Sequence, residues 1–507
     1  TIVPQIAKVL EKIEPLEFVN KYLMPAMEEL GERFGKGEVS LPHLLRSADV
    51  LKQAMGFIEA YMRFTAKTTS CEIQQVKGTI VLGTVFQDIH SIGKDLTKTL
   101  LENYGYKVID LGVMVPLQDF IDQAKKNNAT AIGMSALLVQ TANHMITVAK
   151  MSKEQGLDIP ILVGGAAVTP RHTAFVAMMG QDDIEKIRGD VFYCRTAMDA
   201  VNIMNQLTSE NETRLQLIDQ NKEILKQRYL QAIKRATEEK EKLQNLPRRI
   251  ITKDFPKYPS EPRFRCKVIK MSLKEFAQNI DKINLFSLNW KFGGKSLQKK
   301  AGHSDEELEK LFYHWLNLAD KNGWIQPQGI YGLFPASAMD DTLVIYNPSN
   351  PNEELGRIVF TPVIGSGDED IVSGAQYFRP VGSNELDVVG LQITTAGENI
   401  EEGLEILKSN GDNEGYLLLH GLGDRIAEDM AEYVNKLMCE LLGLPNKQGC
   451  RWSPGYPGMT DLRMNKVILD CLGGGEPIGV TTLPSGQFKP TSTTGAVVSF
   501  HPEAKYS

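Results

Sequence analysis

The chain has 507 residues, enough for about three domains, because a single hydrophobic core rarely grows beyond ~250 residues. Its composition, 42% hydrophobic and 23% charged, is typical of globular proteins. The formal net charge of −7 argues against a nucleic-acid partner and a membrane surface, since both usually require a basic excess. The six cysteines show no C-x-x-C spacing, and no apolar run reaches the ~18 residues of a membrane helix. We therefore expect a cytoplasmic protein with reduced thiols.

The first segment, residues 1–75, has a helical pattern. Apolar residues recur at helical spacing over 18–30 and 41–58, and the glycines of Phe34-Gly35-Lys36-Gly37 fit a turn between them. Several helices without strands predict a small helical bundle.

The second segment, residues 76–208, alternates short β-rich runs with helix-length stretches. The predicted strands are 79–85, 107–111, 130–135 and 160–163, and the predicted helices are 94–104, 117–126, 143–155 and 196–207. This alternation predicts a doubly wound α/β domain with a parallel sheet. Ligands of such sheets bind beyond the carboxyl ends of the strands, where the loop 86–93 falls.

The rest of the chain divides into a linker and a third domain. Residues 209–250 are predicted to form a solvated helical linker, and residues 251–507 a separate α+β domain. In that domain we predict strands at 342–346, 388–394, 416–419 and 495–500, and helices at 305–321, 400–409 and 424–442. Gly421-Leu422-Gly423 lacks the third glycine of a dinucleotide fingerprint, so we predict a simple turn there.

The loop after the first strand carries Asp88 and His90. A neutral imidazole is a good metal ligand, and a carboxylate on its other nitrogen fixes the tautomer and raises its basicity. A lone histidine near an aspartate is more often a solvated loop residue. No second and third ligand at zinc spacing accompanies His90, which argues against a zinc site.

The context of this loop resembles a known signature. Asp88-x-His90-x-x-Gly93, followed by Ser135-Ala136-Leu137 and Gly164-Gly165, is similar to the motif of corrinoid-binding domains, specifically those of cobalamin-dependent methionine synthase. The resemblance implies a flavodoxin-like cobalamin domain in which His90 replaces the cofactor's own base as the cobalt ligand, with Asp88 and Thr141 behind it as a proton relay. It also places these residues against the cofactor: Gln87, Asp88, Ile89, His90, Ser91, Gly93, Ser135, Leu137, Val139, Gly164, Gly165 and Ala197.

The chain departs from the family's motif at four positions. Gln87 and Ser91 replace a glycine and an aspartate, Val139 stands where a hydroxyl is usual, and Thr141 stands where a serine is expected. These departures affect individual hydrogen bonds rather than cofactor binding as a whole.

The N-terminal bundle resembles the cap domain of the same family. The resemblance rests on the run from Phe34 to Glu38 and on Leu41-Pro42-x-Leu44-Leu45-Arg46-Ser47-Ala48, and it implies that Phe34 and Leu41 shield the upper face of the cobalt. The alternative for both side chains is core packing.

The C-terminal domain resembles the family's activation domain, which binds S-adenosylmethionine. The resemblance rests on Arg451-Trp452-Ser453-Pro454-Gly455-Tyr456-Pro457, on the run 329–336, on the run 424–428 and on the terminal run 499–506. It implies a ligand site formed by Asp281, Arg425, Glu428, Arg451, Gly455, Tyr456, Tyr506 and Ser507. Met459 and Ser507 replace a family cysteine and tyrosine, so the C-terminal edge of the site is its least secure part.

The family resemblance implies methyl transfer from 5-methyltetrahydrofolate to homocysteine through methylcobalamin. The chain would bind the cofactor and reactivate it with a methyl group from S-adenosylmethionine and an electron from a flavodoxin-like partner. The homocysteine and folate modules, and the three-cysteine zinc site that activates a thiol, have no counterpart in residues 1–507.

The start at Thr1 favours the C-terminal portion of a longer methionine synthase. The alternative is a corrinoid carrier serving separate methyltransferases, with or without self-reactivation. A corrinoid mutase is a weaker reading, because it would need a large substrate barrel.

Overall fold

The computed structural model describes residues 2–23, 25–26, 29–30, 33, 38–65, 76–181, 183–251, 254–258, 265–293, 303–365 and 369–505. Their contacts divide the chain into two compact units. The first comprises Thr1–Arg235 with Lys291–Ser304 and Lys408–Leu417, and the second comprises Ala236–Trp290, Asp305–Leu407 and Leu418–Ser507.

The N-terminal part of the first unit is helical. Its described helices are Val3–Leu10, Pro15–Phe18, the π-helical turn Val19–Leu23 and the long helix Leu41–Thr65. Ile6, Val19 and Ile58 belong to one small apolar core between these helices. Leu44, at 1% exposure, is buried in a different cluster together with Leu100.

A five-stranded parallel sheet forms the centre of the first unit, which confirms the predicted doubly wound class. Its strands are β1 (Thr79–Thr84), β2 (Lys107–Asp110), β3 (Ala131–Ser135), β4 (Ile161–Gly164) and β5 (Val191–Cys194). The strand order is β2-β1-β3-β4-β5, the flavodoxin-like order. β5 is not among the predicted strands, because periodicity alone cannot assign a short apolar run to a strand.

Helices cover both faces of this sheet, because successive side chains of a buried strand point to opposite sides. Val81 belongs to the cluster that includes Phe120, whereas Ile80 belongs to the cluster that includes Leu100. The helices of the sheet domain are Ile92–Asn103, Leu117–Lys126, Val139–Ala142, His144–Glu154, Pro170–Ala177 and Ala197–Leu207, with a 3₁₀ turn at Ile184–Lys186.

A single helix, Asn211–Asn245, follows the sheet domain. Leu225 and Tyr229 are its buried side chains, and both pack into the cluster on the Val81 face of the sheet. Most of its other side chains are exposed, as expected from its Glu- and Lys-rich composition.

The second unit is built on a seven-stranded antiparallel sheet. The strand order is β13-β16-β12-β7-β8-β9, with β6 paired to β7. The strands are β6 (Cys266–Lys270), β7 (Gln328–Met339), β8 (Thr342–Asn347), β9 (Asn350–Val359), β12 (Asp387–Thr395), β13 (Cys450–Trp452) and β16 (Thr493–Ser499). Two small ribbons pair β10 (Val363–Ile364) with β11 (Ile371–Val372) and β14 (Thr481–Thr482) with β15 (Phe488–Lys489).

The region 251–507, predicted as a separate α+β domain, also contains helices and helical turns. They are Leu273–Phe276, Ala277–Asn279, Lys282–Asn284, Leu285–Asn289, Asp305–Asn322, Gly374–Tyr377, Ile400–Ser409, Asn413–Leu441, Met464–Cys471 and Glu476–Ile478. In the part of the chain that the structure describes, no helix is both long and apolar enough to cross a membrane.

Two predictions about this domain are wrong. The run 416–419, predicted as a strand, lies inside the helix Asn413–Leu441, as do the glycines predicted to form a turn. Short apolar runs such as Tyr-Leu-Leu-Leu fit a buried helix as well as a strand. Gly421 and Gly423 allow close packing instead, since a Cβ at position 421 would lie 2.9 Å from the Trp290 ring.

Candidate functional site

The loop that carries His90 begins where β1 ends. Gln87 has φ of +63°, a left-handed conformation that favours glycine. Two hydrogen bonds fix the loop beyond this point. The Thr84 hydroxyl donates to the carbonyl oxygen of His90 at 2.9 Å, and the Met114 N–H donates to the carbonyl oxygen of Asp88 at 3.0 Å.

The Asp88 side chain is fully buried and accepts hydrogen bonds on both oxygens. Oδ1 lies 2.8 Å from Nδ1 of His90 and 3.1 Å from its backbone N–H. Oδ2 accepts from the Leu137 N–H at 2.8 Å and from the Thr141 hydroxyl at 2.8 Å. Burial alone would raise the pKa of Asp88, but the His90 ring and the backbone donors outweigh it and lower the pKa to about 2. The carboxylate is therefore charged at neutral pH.

This geometry decides which nitrogen of His90 can coordinate a metal. A charged Asp88 can only accept, so Nδ1 carries the hydrogen and the coordinating lone pair lies on Nε2. The ring is 29% exposed. Among the described residues no group of three or more His, Cys, Asp or Glu side chains could hold a bare metal ion. His90 can therefore coordinate a metal through Nε2 alone.

A cavity of about 650 Å³ lies beside the His90 loop, at the carboxyl ends of β1, β3, β4 and β5. Its size falls in the usual range for small-molecule and cofactor sites. Most of the lining is apolar, and it includes five of the predicted contact residues: Gly93, Ser135, Gly164, Gly165 and Ala197.

Gly164 and Gly165, in the wall of this cavity, lie in close contact with neighbouring backbone. Gly165 has φ of +110°, and a Cβ at this position would collide with the carbonyl oxygen of Ala136. At position 164 a Cβ would lie 2.9 Å from the carbonyl oxygen of Cys194. Both positions therefore exclude a side chain on steric grounds. Gly93 differs, because a Cβ there would meet no atom within 4 Å.

The other predicted contacts of the cobalamin domain have mixed surroundings. Leu137 and Val139 are 41% and 72% exposed and could contact a ligand lying over the sheet edge. Ile89 is half-buried. The Ser91 hydroxyl lies 2.8 Å from the hydroxyl of Tyr416, a residue of the same compact unit.

The shielding role of the cap residues Phe34 and Leu41 stays a prediction. Leu41 is half-buried and packs against the cluster that contains Leu44 and Leu100, so the packing alternative accounts for it here. Phe34 lies outside the described residues.

A second cavity, of about 450 Å³, surrounds Arg451 in the second unit. Nε and Nη2 of Arg451 both donate to Oε1 of Glu432, and Nη2 also lies 3.5 Å from Oε2 of Glu428. Nη1 is buried and has no hydrogen-bond partner within the described part of the chain. The remaining lining residues are Asn435, Gly449, Cys450, Ser453 and Tyr456.

Several predicted residues of this second site have local roles. Gly455 has φ of +93° and donates its N–H to Met459, which is fully buried in the core. The Asp281 carboxylate caps the helical turn Lys282–Asn284 by accepting the Asn284 N–H. Arg425 pairs with Asp429 at 2.8 Å rather than lining the cavity. Tyr506 and Ser507 lie outside the described residues.

Four groups that the structure brings to the two sites are not predicted from the sequence. The backbone N–H groups of Leu137 and Leu138 bind Asp88, and no side-chain pattern reveals them. Glu432 and Asn435 line the Arg451 cavity. Their spacing of four and seven residues from Glu428 places them on the same face of the predicted helix 424–442, so this signal was present in the sequence.

Comparison with known proteins assigns the class. Residues 1–59 and 78–191 match two sequence families that are both described as B12 binding domain. Residues 272–507 match the family described as vitamin B12 dependent methionine synthase, activation domain. A B12-binding sheet domain with a separate activation domain is thus the class that fold, site and family matches define.

The relatives narrow the class further. The methionine synthases of Mycobacterium leprae and Mycobacterium tuberculosis share 28% and 27% sequence identity with this chain, in alignments that cover 97% of it. The chain spans 43% of the length of each. The chain therefore carries the cobalamin-binding domains and the activation domain of the cobalamin-dependent methionine synthases.

Similar solved structures include the MetH reactivation domain bound to AdoHcy, with 20% identity and a TM-score of 0.45. The structural match covers 52% of this chain and 89% of the reactivation-domain chain. A cobalamin-binding protein from Desulfitobacterium hafniense has 26% identity and a TM-score of 0.32, covering 41% of this chain and 90% of that one.

Proposed function

We propose that this chain binds cobalamin with Nε2 of His90 as the lower ligand of the cobalt. The observation that carries the proposal is the charged, fully buried Asp88 that holds Nδ1 of His90, next to an apolar cavity. The nucleotide tail of the cofactor would occupy this cavity, where Gly164 and Gly165 form part of the wall and the Ser135 side chain adds a polar group to the lining.

Bound cobalamin supplies a cobalt atom that accepts and passes on a methyl group. The chain's residues control the ligand behind that atom. Asp88 holds the His90 ring in one tautomer and one orientation. The Thr141 hydroxyl, at 2.8 Å from Asp88, is the group through which a proton could enter or leave the pair. Thr141 thus takes the place of the family's serine with the same hydroxyl chemistry.

The Arg451 cavity is the proposed site for S-adenosylmethionine. This ligand combines a carboxylate with an ammonium group and a positively charged sulfonium. Nη1 of Arg451 and Oδ1 of Asn435 are buried atoms without hydrogen-bond partners in the described ranges, one a donor and one an acceptor. They match the two ends of an α-amino acid. Glu428 and Glu432 make the cavity acidic, which favours a cationic sulfonium.

Together the two sites support a role in methionine synthesis. The chain would carry a methyl group between 5-methyltetrahydrofolate and homocysteine and restore inactive cofactor with S-adenosylmethionine. The modules that bind homocysteine and folate would lie in the same longer chain or in separate proteins, and a flavodoxin-like protein would supply the electron. The alternative is a corrinoid carrier for other methyltransferases.

An absorption spectrum tests the ligand assignment. Protein loaded with methylcobalamin should show the spectrum of a histidine-ligated corrinoid with its own base displaced. His90→Ala should convert it to a spectrum without the protein nitrogen, whereas His314→Ala, an exposed histidine of the second unit, should not. Identical spectra for His90→Ala and the unchanged protein would refute the assignment.

Calorimetry with S-adenosylmethionine distinguishes a chain that reactivates its own cofactor from a corrinoid carrier. The unchanged protein should bind the ligand, and Arg451→Leu should weaken binding by roughly 2–3 kcal/mol, because an ionic hydrogen bond is lost in a buried site. Arg463→Leu is the control, since Arg463 is 71% exposed and pairs with Asp461. Failure of the unchanged protein to bind at millimolar ligand would leave the carrier function as the better proposal.

A further inference from the structure

Lys94 is a buried cation to which the cobalt-ligand assignment gives no role. Its side chain is fully buried, and Nζ lies 2.6 Å from Oδ1 of Asp95 and 2.7 Å from Oδ1 of Asp110. Lys94 lies in the first turn of the helix Ile92–Asn103, three residues after Ser91. A buried lysine is costly unless carboxylates compensate it, so two short ion pairs at one nitrogen indicate a specific constraint.

Asp110 connects Lys94 to the neighbouring loop. It is the last residue of β2, and the same oxygen that binds Lys94 accepts the Gly112 N–H at 2.9 Å. Burial by itself would raise the pKa of Asp110, but the charge and hydrogen bond of Lys94 outweigh it and lower the pKa. Lys98 and Lys408, each at 3.3 Å from one carboxylate, add outer cations to the cluster.

The loop held by Asp110 contacts the His90 loop directly. The carbonyl oxygen of Gly112 accepts the Thr84 N–H at 3.0 Å, and Met114 donates its N–H to the Asp88 carbonyl oxygen at 3.0 Å. Thr84 in turn donates its hydroxyl to the carbonyl oxygen of His90. An unbroken set of short bonds therefore joins Lys94 to the backbone on both sides of the proposed ligand.

We propose that Lys94 is a positioning residue for the cobalt ligand. Its ion pair with Asp110 fixes the start of the helix Ile92–Asn103 against the β2 loop, and this fixes the His90 loop between them. Lys94 also lines the cavity proposed for the nucleotide tail. The inference rests on the proposed function, because it concerns how His90 is held.

The test uses methylcobinamide, which has no base of its own, so that a change to a nitrogen-ligated spectrum reports His90 alone. The full chain should give that spectrum, and Lys94→Met should lower the ligation equilibrium constant on the order of tenfold, as partners behind metal-binding histidines typically do. Arg188→Met is the matched control, because Arg188 forms a half-buried ion pair with Asp190 elsewhere in the same domain. It should lose stability but keep the ligated spectrum.

Asp110→Asn is a second, independent variant, and it still tests the proposal if Lys94→Met does not fold. It keeps the shape and the Gly112 contact but removes the charge, and it should shift the spectrum in the same direction. Folded Lys94→Met or Asp110→Asn protein with the ligated fraction of the unchanged chain would overturn the positioning role alone. An unchanged chain that shows no ligated spectrum would overturn the proposed function and the positioning role together.

Discussion

At the scale of single residues, Asp88 is the group on which the proposed chemistry depends. Its two oxygens accept hydrogen bonds from the His90 ring, from the Thr141 hydroxyl and from backbone N–H groups. These three kinds of donor differ in whether they can give up their proton. The backbone donors cannot lose their protons, so they hold the charge, whereas Thr141 and His90 can exchange protons with it. The same carboxylate is thus both a structural anchor and one end of a relay.

Replacing Asp88 by asparagine should destabilise the first unit by about 2 kcal/mol at pH 7. The size follows from a pKa lowered from 3.8 to about 2, at about 1.4 kcal/mol for each pH unit. Because the folded pKa lies below the unfolded one, this contribution is complete above about pH 4 and is lost as the pH falls towards 2. Calorimetric unfolding of both proteins at pH 7 and at pH 3 measures it.

Asp158→Asn serves as the control, since Asp158 is 76% exposed and its ion pair with Lys153 should contribute little. A destabilisation by Asp88→Asn that is as large at pH 3 as at pH 7 would contradict a charge-dependent role for Asp88.

At the scale of elements, the junctions after β3 and β4 shape the cofactor site. The turn after β4 passes so close to Ala136 that only glycine fits at position 165. The first residues after β3 supply the backbone donors to Asp88. Any change that pushes these two junctions apart acts on the cavity and on the relay at once.

Gly165→Ala should therefore weaken cobalamin binding by more than tenfold. The new Cβ would collide with a backbone carbonyl, and φ of +110° is unfavourable for any residue with a side chain, so the junction must shift by more than side-chain adjustment allows. Equilibrium dialysis with cobalamin measures the effect. Gly156→Ala is the matched control, because Gly156 also has a positive φ of +66°, its Cβ would meet no atom within 4 Å and it does not line the cavity. Equal losses in the two variants would mean that steric exclusion at 165 is not the cause.

The elements also show where sequence reasoning works and where it fails. The motif around His90 was interpretable because each of its parts sits at the end of a strand whose apolar run is evident in the sequence. The Arg451 cavity was only half predicted. Glu432 and Asn435 lie within the predicted helix 424–442, but their proximity to Arg451 is a tertiary contact between that helix and a separate strand. Backbone donors and the Lys94 ion pairs depend on tertiary proximity between β1, β2 and β3, which no single-sequence pattern encodes.

At the scale of the whole molecule, the two proposed sites lie in different compact units: the His90 cavity in the first and the Arg451 cavity in the second. Each unit has its own hydrophobic clusters. Ligands that bind one unit should therefore stabilise that unit selectively.

Scanning calorimetry of the full chain should show this selectivity. Cobalamin should raise the temperature of one transition and S-adenosylmethionine that of the other, each by roughly 5–10 °C at ligand concentrations about 100-fold above Kd. Arg451→Leu should abolish the second shift and leave the first. A single transition that both ligands raise equally would contradict independent stabilisation of the two units.

The burial of Leu44 gives the size of this one residue an effect on how the helix Leu41–Thr65 is held. This side chain, at 1% exposure, packs the helix against the cluster around Leu100, and burying one leucine contributes about 2 kcal/mol. That contribution corresponds to a factor of about 30 in an equilibrium between attached and detached forms of the helix. Leu41 packs against the same cluster and Arg46 forms an ion pair with Glu414, so Leu44 is one of several contacts that hold the helix. Changing the size of residue 44 would therefore weaken or strengthen this attachment in steps, with no change to either proposed ligand site.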